Sequence, residues 1–395
     1  MIVFIIIVSS IALLSVCVIG YAMVGYPVLL KLLDKILRPK ENARDKSYEP
    51  SVTYMIAAHN EENVIEKKLE NALAVSYPAD KLQIIVASDN STDATNQIVT
   101  DFIVAHPESN IILYCSKEHK GKTNAQNEAQ KIATGEILVM TDANTMIKSD
   151  AIQELVSYFT SDDIVYVSGK LEYSNADTSA TSQSESAYWD IDLSMRDVES
   201  RIKTITAGNG ALYACRNKEY IDFAPIHCHD IIMPYTYSKM GKRALFNPNA
   251  IAVEKAGETD SDEFKRKVRM NRDILTMLKW GFTVMNPFKY GWFSFFYFGH
   301  RTCRYLLWLA HIVLLISTAA LCFASGIIGI LGIIFTALQI LFFVLAGIEM
   351  GCKTNLKILH IVGYYGMTVY AQIIGVWRII TGKAKPTWEQ AQSTR

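Results

Sequence analysis

The sequence predicts an α/β protein: a mostly parallel sheet with helices on both faces, set between N- and C-terminal transmembrane helices. Three observations carry this reading. Long uncharged runs stand near both ends of the 395 residues, strand-like and helix-like patterns alternate between them, and the strand ends carry carboxylates. Half of the residues are hydrophobic, and 39 Lys+Arg balance 39 Asp+Glu. That balance argues against nucleic acid as a partner, which calls for a basic excess. The seven cysteines are scattered, odd in number and without a C-x-x-C pair, which suits reduced thiols on a cytosol-facing domain.

Met1 to Leu30 holds no charged side chain, nor does Tyr305 to Ile348 or Ile358 to Trp377. A helix needs about 20 apolar residues to cross the hydrocarbon core. Segment 1–33 therefore suits one crossing, and region 303–380 about three, with a turn near Ser325-Gly326. A cleaved leader is disfavoured, because the start has neither a basic n-region nor a small-x-small site. Lys31, Lys35, Arg38 and Lys40 follow the first run, so the positive-inside rule puts the next domain in the cytoplasm. One span followed by three leaves the C-terminus outside, yet the polar tail (381–395, after Arg378) carries Lys383, Lys385 and Arg395, which favour the inside. Either the last run is re-entrant or Pro287–His300 inserts deeply. That aromatic stretch, within 286–302, reads as an interfacial helix on membrane lipids. A channel or transporter would need ionisable residues inside the spans, and these runs offer only His311 and His360.

Residues 48–285 form the domain. Ser51–Ala58 has strand composition, and Ile65, Leu69, Ala72 and Leu73 lie on one helix face, which Tyr77-Pro78 ends. Leu82–Ala87, Ile111–Tyr114 and Glu136–Met140 read as strands, and Thr92–Ala105 and Thr123–Ala133 as helices, the latter stopped by Gly135. Repeated β-α-β units with apolar strands predict a parallel sheet covered on both faces. Such sheets bind ligands at the carboxyl ends of their strands. There stand His59-Asn60-Glu61-Glu62, Ser88–Asp93 and Thr141–Thr145. Asp93 reads equally as a helix cap, while Asp89 and Asp142 lie too close to their strands for that. Together they suggest a polar site for a ribose, a base and a metal-bound diphosphate, since a hard divalent cation takes oxygen ligands.

Ala57-Ala-His-Asn-Glu-Glu62, Ser88–Asp93, Gly121-Lys122 with Asn127, and Thr141–Thr145 resemble the ordered motifs of family 2 glycosyltransferases, most closely the cellulose-synthase-like branch with the GT-A fold. Gly208-Asn209-Gly210 and the residues to Tyr213 resemble that family's acceptor-side loop, His229-Asp230 to Pro234 its catalytic-base motif, and Arg266 to Met270 its Q-x-x-R-W motif. The resemblance implies a GT-A-type, Rossmann-like domain with a UDP-sugar donor and a glycan or lipid-linked acceptor, anchored in the plasma membrane. Polysaccharide export proteins are implied as partners. Ala57, His59, Glu61, Asp89, Lys122, Asp142 and Arg269 would bind the donor, Asp142 and Asn144 a Mg2+ or Mn2+ ion, and Asp230 would be the base. Asn144 replaces a second Asp, His229 stands where an acid is usual, and Arg266 and Met270 replace Gln and Trp. The last change argues against a processive polymerase.

Glycosyl transfer loads negative charge on the departing diphosphate and requires the acceptor hydroxyl to lose a proton, so a Lewis acid and a carboxylate base answer its two needs. A catalytically weak or inactive scaffold subunit of an export complex is the competing reading. Lys265, Arg266, Lys267, Arg269 and Arg272 suit either anionic lipid heads or phosphate, with a catalytic part expected only for Arg269. His227-Cys228-His229 is not expected to hold zinc. Tyr188, Trp189 and Trp280 are expected in the core, and Asp190 and Asp192 on a solvated helix face.

Overall fold

The computed structural model describes residues 2–175, 180–255, 257, 259–352 and 356–387. The chain begins with α1 (Ile2–Gly20), a wide turn at Tyr21–Gly25 and α2 (Tyr26–Leu37); no charge interrupts Ile2–Leu30, and Pro27 is accommodated in the first turn of α2, directly after the wide turn. The α/β domain follows as β1 (Val52–Ala58), α3 (Ile65–Leu73), β2 (Leu82–Ser88), α4 (Thr95–Ala105), β3 (Ile111–Cys115), α5 (Lys122–Gln130), β4 (Ile137–Asp142), β5 (Met146–Ile147) and α6 (Ala151–Val156). Its second half holds β6 (Ile164–Tyr173), α7 (Ala180–Ile202), β7 (Leu212–Arg216), α8 (His229–Lys239), β8 (Arg243–Glu254), α9 (Asp260–Met270) and α10 (Ile274–Thr283). Short helices α11 (Pro287–Tyr290), α12 (Trp292–Tyr297) and α13 (Cys303–Tyr305) lead to α14 (Leu307–Leu321), α15 (Ile327–Cys352) and α16 (Lys357–Ile380).

The eight strands form one sheet of order β3-β2-β1-β4-β7-β6-β8-β5. All seven residues of β1 are buried, as in a strand covered on both faces. Tyr54, Ile56 and Val86 pack under α3 and α4, and Met55, Ile85 and Leu138 under α5 and α8. The sheet is mixed, which corrects the expectation of a mostly parallel one. β3-β2-β1-β4 are parallel, but β7 runs antiparallel to β4 and to β6, and β5 antiparallel to β8. The reversal has a positional consequence. Leu212, the first residue of β7, pairs with Thr141 near the end of β4. The loop entering β7, Gly208–Gly210, therefore lands at the same rim as the ends of the parallel strands.

Among the described residues, Ile2–Leu37 and Ile327–Cys352 are long and apolar enough to cross a membrane. Trp292–Tyr305 and Leu307–Leu321, bent by 58°, make a third if taken as one broken span. Helix α16 lies against α9: Tyr370 stacks on Phe264 at 5.6 Å, the Lys267 ammonium sits 4.1 Å over the Tyr364 ring, and Gly375 abuts Asn271. Beyond it, the chain reaches Pro386, whose carbonyl accepts from Arg272 Nη1 at 3.2 Å.

Asp192 departs from expectation: it is buried, whereas Asp190 is exposed. Its carboxylate meets Arg196 Nε at 2.6 Å, His300 Nε2 at 2.8 Å and Arg304 Nη1 at 3.0 Å. Burial alone would raise this carboxyl; Arg196, His300 and Arg301 overcome it and hold it well below the usual range. His300 Nδ1 meets Glu199 at 2.7 Å, and Glu199 also accepts from the Tyr26 hydroxyl at 2.6 Å. Three membrane-proximal elements thus close on α7 through charge, because ions removed from water must be paired.

Candidate active site

The rim begins with Ala57, whose register partners are Ala87 in β2 and Asp142 in β4. After β1 and β2 the chain turns through Asn60 and Asn90, both in left-handed conformation at φ 54° and 53°, a region Asn tolerates. The Asn60 amide oxygen accepts from Thr92 N–H at 2.7 Å, tying the two loops together. Glu61 is buried, with its N–H on Thr95 Oγ1 at 2.7 Å. Asp93 accepts from Thr95 N–H at 3.0 Å and from Glu62 N–H at 3.1 Å, so it serves the turn into α4.

Asp89 is buried and accepts two backbone N–H groups, Lys120 at 3.1 Å and Gly121 at 2.7 Å. His119 Nδ1 lies 2.8 Å from the same carboxylate, and His59 Nδ1 2.8 Å from the Asp89 carbonyl. The two imidazoles stack with centroids 3.8 Å apart. The three residues offer nitrogen and oxygen atoms within 4.8 Å of one another, a set a metal ion could share. Burial lowers the His59 pKa. Gly121 opens α5 at φ 101°, and a Cβ there would stand 2.8 Å from the Pro386 carbonyl oxygen, so only glycine fits under the tail.

Asp89 thereby fixes the start of α5, and Lys122 projects from it across the rim. Its ammonium pairs with Asp142 and donates to the Gly210 carbonyl at 2.8 Å. A Cβ on Gly210 would lie 3.5 Å from Lys122 Nζ and 3.6 Å from the Asp230 carboxyl carbon. Asp142, Lys122, Gly210 and Asp230 therefore border one space. Asp230 lies in the first turn of α8, and its carbonyl accepts from Gly208 N–H at 2.6 Å. Gly208 is compulsory, since a Cβ would come within 2.1 Å of the Tyr166 hydroxyl. Asn209 N–H donates to Ser168 Oγ at 2.9 Å, and its side-chain oxygen accepts from Ala211. Burial raises the Asp230 pKa, with Lys122 and Arg196 opposing and Asp142 adding to the rise. Such a carboxylate is a better proton acceptor than a free one.

The basic cluster divides. Arg266 binds Glu263 at 2.7 Å and Lys267 lies 3.5 Å from it, both on the α16 side. Arg269 and Arg272 face the rim. Burial together with Arg266 and Arg272 lowers the Arg269 pKa, while Cys228 and Asp142 pull it back. Arg272 donates to the Ile226 carbonyl at 2.8 Å and meets Cys228 Sγ at 3.2 Å, so it braces the segment before Asp230. The side chains of His227, Cys228 and His229 go three ways. His227 pairs with Asp273, Cys228 meets Arg272, and His229 sits among Tyr213, Tyr220 and Asn127 at 3.2, 3.3 and 3.2 Å. Burial and then Lys122 push the His229 pKa down to about 3, so it is a neutral core residue. Trp280 stacks on Tyr235 at 4.9 Å and is half-buried at the edge of the cluster of Tyr235, Val284, Phe293 and Tyr297, short of the core position expected for it. The Tyr188 side chain and Arg395 lie outside the described residues.

Sequence reasoning missed Lys68. It is fully buried beneath β4, where its ammonium donates to the Thr145 carbonyl and to Thr141 Oγ1 at 3.3 Å. It thus holds the turn carrying Asp142 and Asn144. Burial drops its pKa to about 7, with Asp142 opposing. Its spacing from Ile65 and Leu69 on the inner face of α3 was the available signal.

Carboxylates and backbone amides gathered where a mixed sheet ends, with long apolar helices beside it, define a GT-A-like fold. Residues 50–274 match the family described as glycosyltransferase like family 2, and the chain belongs to it. It is 32% identical over 112 residues to a β-monoglucosyldiacylglycerol synthase of Synechocystis, covering 28% of this chain and 23% of that protein. It is 33% identical over 129 residues to a probable glycosyltransferase of Bacillus subtilis, covering 32% and 31%. The chain thus spans less than a third of these relatives. A mannosyltransferase from Pyrobaculum calidifontis, solved with GDP-mannose and Mn2+, shares the fold at TM-score 0.71 and 21% identity, covering 94% of this chain and 99% of that one.

Proposed function

We propose that this protein is a membrane-embedded, inverting, metal-assisted glycosyltransferase. It moves a sugar from a UDP-sugar to a hydroxyl of a polysaccharide or lipid-linked acceptor at the cytoplasmic face of the plasma membrane. The observation that carries the reading is the single space shared by Asp142, Lys122, Gly210 and Asp230. Asp89 and His59 flank the base and ribose end, with Ala57 and Glu61 forming the floor. Lys122 and Arg269 meet the diphosphate, and the Gly208-Asn209-Gly210 loop leaves room for the acceptor beside Asp230.

The acceptor oxygen attacks the anomeric carbon from the face opposite the diphosphate. Its proton passes to the Asp230 carboxylate, and the carbon–oxygen bond to the diphosphate breaks with its electron pair on the leaving group. Asp142 and Asn144 offer the hard oxygen donors that Mg2+ or Mn2+ prefers, with Lys122 already marking the spot as one for positive charge. The ion, when bound, supplies Lewis-acid stabilisation of the leaving diphosphate. Supply of UDP-sugars to purified protein with Mn2+ or Mg2+, followed by UDP release, tests this. Release is expected with one donor and is expected to fall about 10²–10⁴-fold in Asp230→Asn. Unchanged release in that variant would overturn the base assignment, and no release with any donor the activity itself.

A further inference from the structure

Resting on the transferase reading above, we infer that Lys122 is a built-in competitor of the divalent ion. Its ammonium holds Asp142 against the ion until a nucleotide diphosphate draws it away, so nucleotide and ion bind as one unit. The Lys122 and Asp142 side chains meet directly at the rim, 23% and 32% exposed, so both heads are open to a ligand. The same ammonium donates to the Gly210 carbonyl at 2.8 Å. Of the two ligands proposed for the ion, Asn144 is neutral, so Asp142 brings the only formal charge, and that is the group Lys122 neutralises. An ion arriving alone must share that carboxylate with the ammonium or break both of the ammonium's contacts. Two cations on one carboxylate repel strongly at such close range. Mg2+ in addition gives up its own water reluctantly.

Two lysines lie near Asp142, and only one of them can make the exchange. Lys68 is fully buried beneath β4, with its ammonium on the Thr145 carbonyl and on Thr141 Oγ1 at 3.3 Å. It stays with the turn it supports. Lys122 stands in the first turn of α5, directly after Gly121, and its head borders the space beside Gly210. Rotation about its side-chain bonds carries the ammonium from a carboxylate oxygen to a phosphate oxygen. A diphosphate brings more negative charge than Asp142 does. It takes the ammonium, offers the ion oxygen ligands of its own, and leaves Asp142 free to complete the set. Arg269, which lies within the field of Asp142, adds to the draw on the phosphates. Nucleotide and ion then raise each other's affinity by the same factor.

The test is Mn2+ titration of the full-length protein in detergent, followed by electron paramagnetic resonance, without UDP and at saturating UDP. Without UDP, Lys122→Met and Lys122→Gln are each expected to bind Mn2+ about 10–100-fold more tightly than the parent, the scale of a charged hydrogen bond removed from Asp142. The sign is diagnostic, because loss of a residue that merely supports the site weakens the ion. Lys122→Arg keeps the charge and should stay close to the parent. UDP should tighten Mn2+ in the parent and close most of the gap between it and the neutral variants. The two neutral side chains differ in shape, so one misfolded variant leaves the other informative. Mn2+ bound no more tightly by a folded neutral variant, or bound by the parent equally with and without UDP, would overturn the inference. Tighter Mn2+ in the neutral variants without UDP release from any sugar donor would support the competition while refuting the transferase reading. Release with a donor but no tightening would do the reverse.

Discussion

Replacing Arg196 with methionine removes the side chain on which the α7 charge cluster and the Gly208–Gly210 loop both depend. Arg196 is 2% exposed, pairs with Asp192 at 2.6 Å and donates to the Gly208 carbonyl at 2.5 Å. Methionine preserves most of the volume, so the loss is electrostatic. Breaking a buried pair costs about 3–5 kcal/mol when one charge is stranded. Here Asp192 keeps His300 and Arg304, so the lower end of that range applies to the pair. The abandoned Gly208 carbonyl adds about 1–3 kcal/mol. Against a typical stability of about 5–15 kcal/mol, the variant stays folded with a clearly lower unfolding midpoint. Function moves in a second, independent way. Arg196 helps to hold down the Asp230 pKa, which burial raises. A carboxylate base is active only when deprotonated, so rate is lost as pH falls through its pKa. Without Arg196 that loss begins at higher pH. The acidic limb of the pH–rate profile should therefore shift upward and the KM for the acceptor rise, while the KM for the donor holds. Arg196→Lys, which retains the charge but reaches one partner at a time, should fall between. An Arg196→Met protein with the parent's unfolding midpoint and an unmoved acidic limb would refute the reasoning.

Lys122→Met should weaken donor binding by about 10–100-fold, the scale of a hydrogen bond to a charged group, as read by UDP titration calorimetry. Lys68→Met should loosen the Asp142–Thr145 turn and reduce Mn2+ affinity by about 10–100-fold, measurable by electron paramagnetic resonance, with the donor's base contacts unaffected. His229 is held neutral with a pKa of about 3 against an ordinary 6.5, so between those values the unfolded chain binds the extra proton. Stability contributed there is complete above pH 6.5 and lost as pH falls toward 3. His229→Gln should flatten that slope in thermal melts taken across the window.

The first half of the domain was legible because each element carries its own period. β1, α3, β2, α4, β3, α5 and β4 lie within about three residues of the patterns that announced them. The rim was legible too, since carboxylates directly after apolar strands have no better reason to be there. The antiparallel entry of β7 was not, because strand direction is decided by which neighbour covers Leu212 and Tyr213, not by the residues themselves. Asp192 was misread for a related reason. Its partners, His300 and Arg304, lie more than a hundred positions away, and on its own helix it looks like any surface acid. Lys68 hides in the same fashion: a lysine on α3 suggests solvent until the Thr145 carbonyl is found beneath it.

The carbonyl of Pro386 resting on Gly121 and Arg272 has a topological consequence. Two groups in van der Waals contact share one compartment, so between residue 285 and residue 386 the polypeptide must traverse the bilayer an even number of times. The pair α14 and α15 supplies an out-and-back passage. The last helix then joins the two halves of the molecule: its first turns pack on α15, where Gly366 abuts Ala346, and Tyr364, Tyr370 and Gly375 run along α9 toward the rim. Lys383 and Lys385 thereby lie on the same side of the bilayer as Arg272 and the rim that Gly121 opens.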